Sequence, residues 1–353
     1  LKMTVNPKVS VIMAAYNAGR FVGDAINSLR QQSFPDFELI VVNDGSSDST
    51  AAIIAGHASE DPRIRALDQP NAGLAGARNS ALQLARGAFV AIADADDIQL
   101  PDRLRILLEK FEADPNLDIC GGGLESWSGG MEAGTLHLMP LSNPRIRGGM
   151  PFESMMFDPT AMYRRTLLAP PICGYNVEFR MAVDYDLWSR LLSRARFANC
   201  PQVLTRYRRH SNQVTEIEAK TGRSLAERRR IWTRIYVELF QVKPTEEQLQ
   251  ANEKVATWPS SVKVTERNQI GLWLETLLRA NRTTEALPQL EFGEQVGRRW
   301  LWTCSHATGD GLKALLAYWR SPLSRLPGAT LRSRLGLIRN CFRARSKSTL
   351  PAR

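Results

Sequence analysis

Cysteine is sparse in this chain and forms no pattern. The five in 353 residues, Cys120, Cys173, Cys200, Cys304 and Cys341, include no Cys-x-x-Cys pair, and no histidine stands at ligand spacing from them. That argues against a zinc site or a disulfide framework and fits a reducing cytoplasm. No apolar run reaches the length of a membrane-spanning helix, and the opening Leu1-Lys2-Met3-Thr4 lacks the apolar core of a signal peptide. The expected location is cytoplasmic. The dinucleotide fingerprint is missing too: Gly73 and Gly76 stand without the first glycine pair, and there is no Gly-Lys-Ser/Thr loop. Hydride transfer and P-loop phosphoryl transfer are therefore unsupported. Acid is absent from the end of the chain. From Leu312 to Arg353 there are ten Lys or Arg and no Asp or Glu, which equals the whole net charge of +10. Such a tail suits an anionic partner, a membrane surface, an acidic glycan or nucleic acid, or is simply solvated.

What is present is a soluble, globular composition, 43% hydrophobic and 23% charged, long enough for one large domain with an appendage. The pivotal stretch is Ala88-Phe89-Val90-Ala91-Ile92-Ala93-Asp94-Ala95-Asp96-Asp97. A short apolar run reads as a buried strand, and it ends in three carboxylates. At the carboxyl end of a sheet strand such acids repel one another, and a hard divalent cation would offset them. The competing reading is a solvated turn that caps the helix beginning near Pro101-Asp102.

The chain before this stretch alternates strand and helix. Lys8–Met13 is a strand ending in Ala14-Ala15-Tyr16-Asn17, and Phe21, Val22, Ala25, Ile26 and Leu29 follow at helical spacing. Phe37–Val42 ends in Asn43-Asp44-Gly45-Ser46-Ser47-Asp48, good cap chemistry for the next helix. Ile64–Leu67 is a third strand, and a third helix opens at Asn71-Ala72-Gly73 and runs to Arg86. This order predicts a mostly parallel α/β sheet with its polar segments along one edge. Asp184-Tyr185-Asp186-Leu187-Trp188 predicts a helix start, with Trp188 in the core, and Val203–His210 an edge strand running into a turn at Ser211-Asn212-Gln213. Past Val214 helical periods dominate, at Ser224–Phe240, Glu246–Trp258, Asn268–Leu278 and Leu312–Trp319. The expected division is 1–215, catalytic, and 216–353, helical with a basic tail.

From Val9 to about His210 the sequence resembles the family-2 glycosyltransferases, which have the nucleotide-diphospho-sugar transferase (GT-A) fold. The resemblance rests on Val9–Asn17, on Ile40-Val41-Val42-Asn43-Asp44-Gly45-Ser46-Ser47-Asp48, on Asn71-Ala72-Gly73 through Ala77-Arg78-Asn79 with Asp94-Ala95-Asp96-Asp97, and on Asp184–Trp188 with Tyr207-Arg208-x-His210. It departs from the family pattern at Ala15, where a proline is usual, and at Val183, where a glutamate is usual. Gln295-Val296-Gly297-Arg298-Arg299-Trp300 is one residue too long for the processive synthases' Gln-x-x-Arg-Trp, so the expectation is a non-processive hexosyltransferase.

The resemblance implies roles. Asp96 and His210 would hold Mn²⁺ or Mg²⁺, and Asp94 the donor's ribose or the metal's water shell. Ala14, Ala15, Tyr16, Asn17, Asp44, Gly73, Arg78 and Ala95 would line the nucleotide site, with Asp44 on a pyrimidine edge. Asp97, expected against Arg78, and Arg208 are secondary candidates. Asp184 would be the general base of an inverting displacement. The partners implied are a nucleoside-diphosphate sugar, most simply a UDP-sugar, and a saccharide or lipid-linked acceptor, without nucleic acid. A peripheral position on the inner membrane face would bring the tail to its anionic surface. Two other readings compete: a non-catalytic nucleotide-sugar-binding subunit of a glycan assembly complex, and a pyrophosphorylase-like enzyme. The joint presence of Asp94, Asp96, Asp184 and His210 counts against the first, and the absence of a glycine-rich basic loop at Ala14–Arg20 against the second.

Overall fold

The structure, a computed structural model, describes residues 6–128, 133–170, 172–210, 213, 223–307 and 312–348, with side chains as far as Cys341. The opening residues 1–5, Ser211 and Asn212, the expected division at 215/216 and the last five residues lie outside it. The chain forms two compact units, one of residues 1–146 and 154–228, the other of 147–153 and 229–353.

In the first unit the elements run β1 (Val9–Ala15), α1 (Val22–Arg30), β2 (Phe37–Asp44), α2 (Thr50–Glu60), β3 (Ile64–Gln69), α3 (Gly73–Leu84), β4 (Phe89–Asp94), β5 (Ile98–Gln99), α4 (Arg103–Ala113), β6 (Ile119–Trp127), β7 (Thr135–His137), α5 (Asn143–Gly149), β8 (Met162–Arg164), α6 (Val183–Leu191) and β9 (Phe197–Arg208). The four strands β3-β2-β1-β4 are parallel, as the alternation predicts. The aliphatic runs of β1, β2 and β4 are buried because connecting helices cover the sheet, while β3 at its edge buries only Ile64. The sheet then continues β4-β8-β6-β9-β5, with β8 antiparallel to both neighbours and β5 antiparallel to β9. So β9 is not the edge: two-residue β5 covers it, and the buried Thr205 hydroxyl bonds Gln99 at 2.9 Å.

Two buried charges hold this sheet. Glu38 accepts from Ser10 Oγ, from Arg86 through its backbone and guanidinium, and from Arg65. Burial works to raise its carboxyl, but these hydrogen bonds outweigh burial and hold it below the usual range. Arg103, fully buried, donates to Gln99, to the Ile92 carbonyl on β4 and to the Ala161 carbonyl, and burial pulls it down to about 10. Gly87 is required at the entry to β4. A Cβ there would lie 2.5 Å from Ser10 N and 2.7 Å from Val9 C. Those are backbone atoms of β1 and cannot yield. Gly87→Ala is expected to cost about 1–3 kcal/mol of stability, read as a lower urea midpoint at unchanged slope.

The second unit is helical, with α7 (Arg223–Phe240) entering it, then α8 (Glu246–Thr257), α9 (Val264–Thr284), α10 (Gln289–His306), α11 (Leu312–Arg320) and α12 (Leu331–Ser348). Its core gathers Trp232, Tyr236, Phe240, Trp273 and Phe292. Asn252 sits among them and accepts from both Tyr236 Oη and Trp273 Nε1. The sequence reading misses α10. Gly293 and Gly297 interrupt its apolar period, and they face the Leu326–Pro327 turn, where a Cβ on Gly297 would come within 2.4 Å of the Pro327 carbonyl. The Gln295–Trp300 run has a packing role here: Arg299 is buried, stacks 4.1 Å over Phe152 and pairs with Glu153 at 2.6 Å. Among the described residues no helix is long and apolar enough to cross a membrane, and the five cysteines are free.

Candidate active site

Three parallel strands stop together at one edge. Ala14 is level with Asp94 and Val42, and Ala15 with Asn43. The turns beyond β1 and β2 are laced to each other. Asn17, at φ 48°, donates its N–H to Ser46 Oγ and accepts from Ser47 N. The Ala18 and Gly19 N–H groups bond Thr50 Oγ1 and Asp48, and Asp48 also caps α2 through the Thr50 N–H. Tyr16 is left 56% exposed on this rim.

Asp44 is buried, and both of its oxygens are engaged. Oδ1 accepts from Gln69 and the Ala72 N–H, Oδ2 from the Gly73 N–H. It pins the start of α3, where unsatisfied N–H groups and the helix dipole favour an acid.

Arg78 lies buried on α3. It is 2% exposed, between Asp94 at 3.1 Å and Asp158 at 2.6 Å, with its guanidinium 5.3 Å from the Tyr175 ring centre. The expected Asp97–Arg78 contact is absent. Asp158 takes that place, because the one-turn helix Asp158–Thr160 delivers it from across the sheet. Burial first, then the charges of Asp184 and Asp94, push the Asp158 carboxyl up to about 7, against the pull of Arg78. Asn79 fixes the next loop by bonding both the N–H and the carbonyl of Tyr175.

Asp96 Oδ2 lies 2.9 Å from His210 Nε2, and the His210 ring packs 4.6 Å from Phe21. Asp97 accepts the Arg208 N–H, and Arg208 reaches on to the Asp96 carbonyl and to Asp24. Burial first, and neighbouring acids second, raise the carboxyls of Asp96 and of Asp97, the latter far above the ordinary range. Asp97 Oδ2 is buried without a hydrogen-bond partner. Ala95 is buried between these acids. Such a surplus of carboxylate is what a bound cation relieves. Among the described residues no three His, Cys, Asp or Glu side chains enclose an ion by themselves. Asp96 with His210 is thus a partial set, of the kind Mg²⁺ or Mn²⁺ complete with water and substrate phosphates.

Asp184 sits in the first turn of α6, whose N-cap is Ala182. It is partly exposed. Burial raises its carboxyl, while the Tyr185 N–H and the Arg78 charge oppose that rise. Trp188, fully buried, packs edge-on against Tyr163 and belongs to the core. Sequence reasoning missed Asp158, Asp24, Tyr175, Arg180 and Glu227. Asp158-Pro159 carries a visible helix-start signal, but nothing in the sequence shows that this turn returns to Arg78.

The family model described as "Glycosyl transferase family 2" matches residues 10–188, just over half of the chain. A glycosyltransferase of Haemophilus influenzae that has not been characterised is 29% identical over 220 residues, 60% of this chain and 68% of the relative. Among solved structures, S. aureus TarS 1–349 in complex with UDP-GlcNAc superposes with a TM-score of 0.56 at 20% identity, over 98% of this chain and 93% of that one. The mannosyltransferase PcManGT of Pyrobaculum calidifontis, in complex with GDP-Man and Mn²⁺, gives a TM-score of 0.50 at 16% identity, over 99% and 89%. These two likenesses place the fold among the GT-A glycosyltransferases, with a helical region following it. With motif residues gathered at the carboxyl edge of a GT-A sheet and the family model matched over residues 10–188, the chain belongs to glycosyl transferase family 2.

Proposed function

We propose that the chain is an inverting, metal-dependent, non-processive glycosyltransferase. It moves a hexosyl group from a nucleoside-diphosphate sugar, a UDP-sugar first, to a hydroxyl of a saccharide or lipid-linked acceptor in polysaccharide-type assembly. One observation carries this reading: segments far apart in sequence bring Asp94, Asp96, Arg78, Asp184 and His210 to one sheet edge. A nucleotide-sugar-binding subunit without activity would have no use for a desolvated Asp184 beside these acids. The ligands of TarS and PcManGT support the donor class and a divalent ion.

The roles follow from the chemistry. The rim from Ala14 to Asn17 and the start of α3 at Gly73 line the nucleoside, with Asp44 shaping that backbone. Asp94, braced by Arg78, faces the ribose. Asp96 and His210 would hold the metal, which when bound neutralises charge on the departing diphosphate. Asp97 and Arg208 keep the Asp96 backbone and the His210 turn in place. Asp184 takes the acceptor proton as its oxygen attacks, and the single displacement inverts the anomeric carbon. Donor and acceptor held in line supply the rest of the rate.

The test is a screen of UDP-, GDP- and dTDP-sugars for Mn²⁺-dependent binding and slow hydrolysis. Binding of one class is expected; no binding under any metal condition sinks the reading.

The end of the chain supports a peripheral place on an anionic bilayer. Leu312, Leu316 and Trp319 of α11, and Leu331 and Leu335 of α12, are exposed among basic residues. Sedimentation with phosphatidylglycerol vesicles should exceed that with neutral vesicles and weaken with salt. Equal, negligible binding to both would remove the idea.

A further inference from the structure

We infer that Glu227, on the first turns of α7, is a positioning residue that sets the spacing between the donor edge and the acceptor base. The inference rests on Asp184 being that base. Glu227 Oε1 accepts the Arg180 N–H at 2.9 Å, and Oε2 accepts those of Met181 at 2.9 Å and Ala182 at 2.8 Å. Three consecutive backbone donors thus converge on one carboxylate. They lie on the approach to α6, the last of them on its N-cap residue. The N-cap residue is Ala182, which has no side-chain acceptor. Glu227 holds that residue's own N–H from 45 residues away, at the end of the helix that favours negative charge.

The pinned segment touches both halves of the site. At one end, the Arg180 guanidinium donates to the Ala72 carbonyl at 3.1 Å and lies across Gly73, so close that a Cβ on Gly73 would fall 1.9 Å from its Nη1. Gly73 has φ +77°, a conformation that glycine adopts without strain. Asp44 holds the Ala72 and Gly73 N–H groups from the other side. At the other end, two residues past Ala182, stands Asp184. One carboxylate therefore fixes a five-residue bridge from the nucleoside rim to the base. Sub-ångström placement of a base matters, since a 1 Å error can cost about 10²-fold in rate.

A purely structural cap would behave differently. Losing it would lower stability by the effect of one helix cap and leave kcat of the folded protein unchanged. The experiment uses the full chain, UDP with Mn²⁺ as the binding probe, and transfer from the donor the screen selects. Glu227→Ala is expected to lower kcat at least about tenfold, with little change in donor KM or UDP affinity. Glu227→Gln keeps an acceptor oxygen at the same reach and should restore most of that loss. Parental kcat and KM in Glu227→Ala, with only the melting temperature lowered, would overturn the proposal, as would equal losses in the Ala and Gln variants. Should Glu227→Ala fail to fold, Glu227→Asp decides. One methylene shorter, it cannot span all three N–H groups, so reduced kcat supports the proposal and parental kcat overturns it. Failure of the underlying reading looks different: Asp184→Asn would then retain transfer. A dead Asp184→Asn beside a fully active Glu227→Ala removes only the role given to Glu227.

Discussion

Asp96→Ala is expected to lose about 10³-fold or more in kcat/KM, and with it the Mn²⁺ dependence of donor binding. Several kcal/mol of charge stabilisation on a leaving diphosphate are at stake, and each 1.36 kcal/mol is about tenfold in rate. Asp96 is the acid placed to collect this, because it alone of the three faces His210 at 2.9 Å. Asp94 is committed to Arg78, and Asp97 to the Arg208 N–H. The loss should not come from unfolding. Burial and Asp94 raise the Asp96 carboxyl in the folded state. A raised folded value contributes its full stability below the unfolded value, and that contribution is lost as pH rises through the folded one. Near neutral pH, without metal, Asp96→Ala should therefore melt no lower than the parent. Asp102→Ala is the control. That acid, a few residues on, is exposed and bonded to Ser33 and Arg105, and its removal should leave transfer unchanged. Transfer within tenfold of the parent in Asp96→Ala would remove this acid from the metal site.

The order of strands β1 to β4 is legible because their aliphatic runs and the polar turns after them obey local rules. The edge chemistry is legible for the same reason, since parallel strands end together. What is not legible is long-range. Arg78 reads as part of the nucleotide site, but the sequence does not show that Asp158, far along the chain, arrives through a short helix beyond β7 to pair with it. Asp44 reads as a base-edge ligand, and its hold on the Ala72 and Gly73 backbone is a further role that the sequence does not show. β9 reads as an edge strand because a two-residue partner leaves almost no sequence signal. Glu227 is invisible for a further reason: a side chain that caps another helix leaves no trace in its own helix's period.

Asp184→Asn is expected to cut kcat by about 10²–10⁴-fold, the range for a lost general base, while donor KM stays near the parental value. The amide is close to isosteric, so the first turn of α6 and its contact with Glu227 should survive. The pH profile makes the argument specific. Burial raises the Asp184 carboxyl above the ordinary range, against the Tyr185 N–H and Arg78. A base acts only when ionised, so kcat/KM of the parent should climb with pH through a value above that of a solvated aspartate. Asp158 follows in turn: burial, and then the charges of Asp184 and Asp94, push its own carboxyl up to about 7 against the pull of Arg78. Asp158→Asn, which leaves Asp184 in place, should keep the acid limb of the parent profile. In Asp184→Asn the same limb should vanish and leave a low, flat rate. A full-rate Asp184→Asn, or an acid limb that persists in it, would assign the proton to another group at this edge.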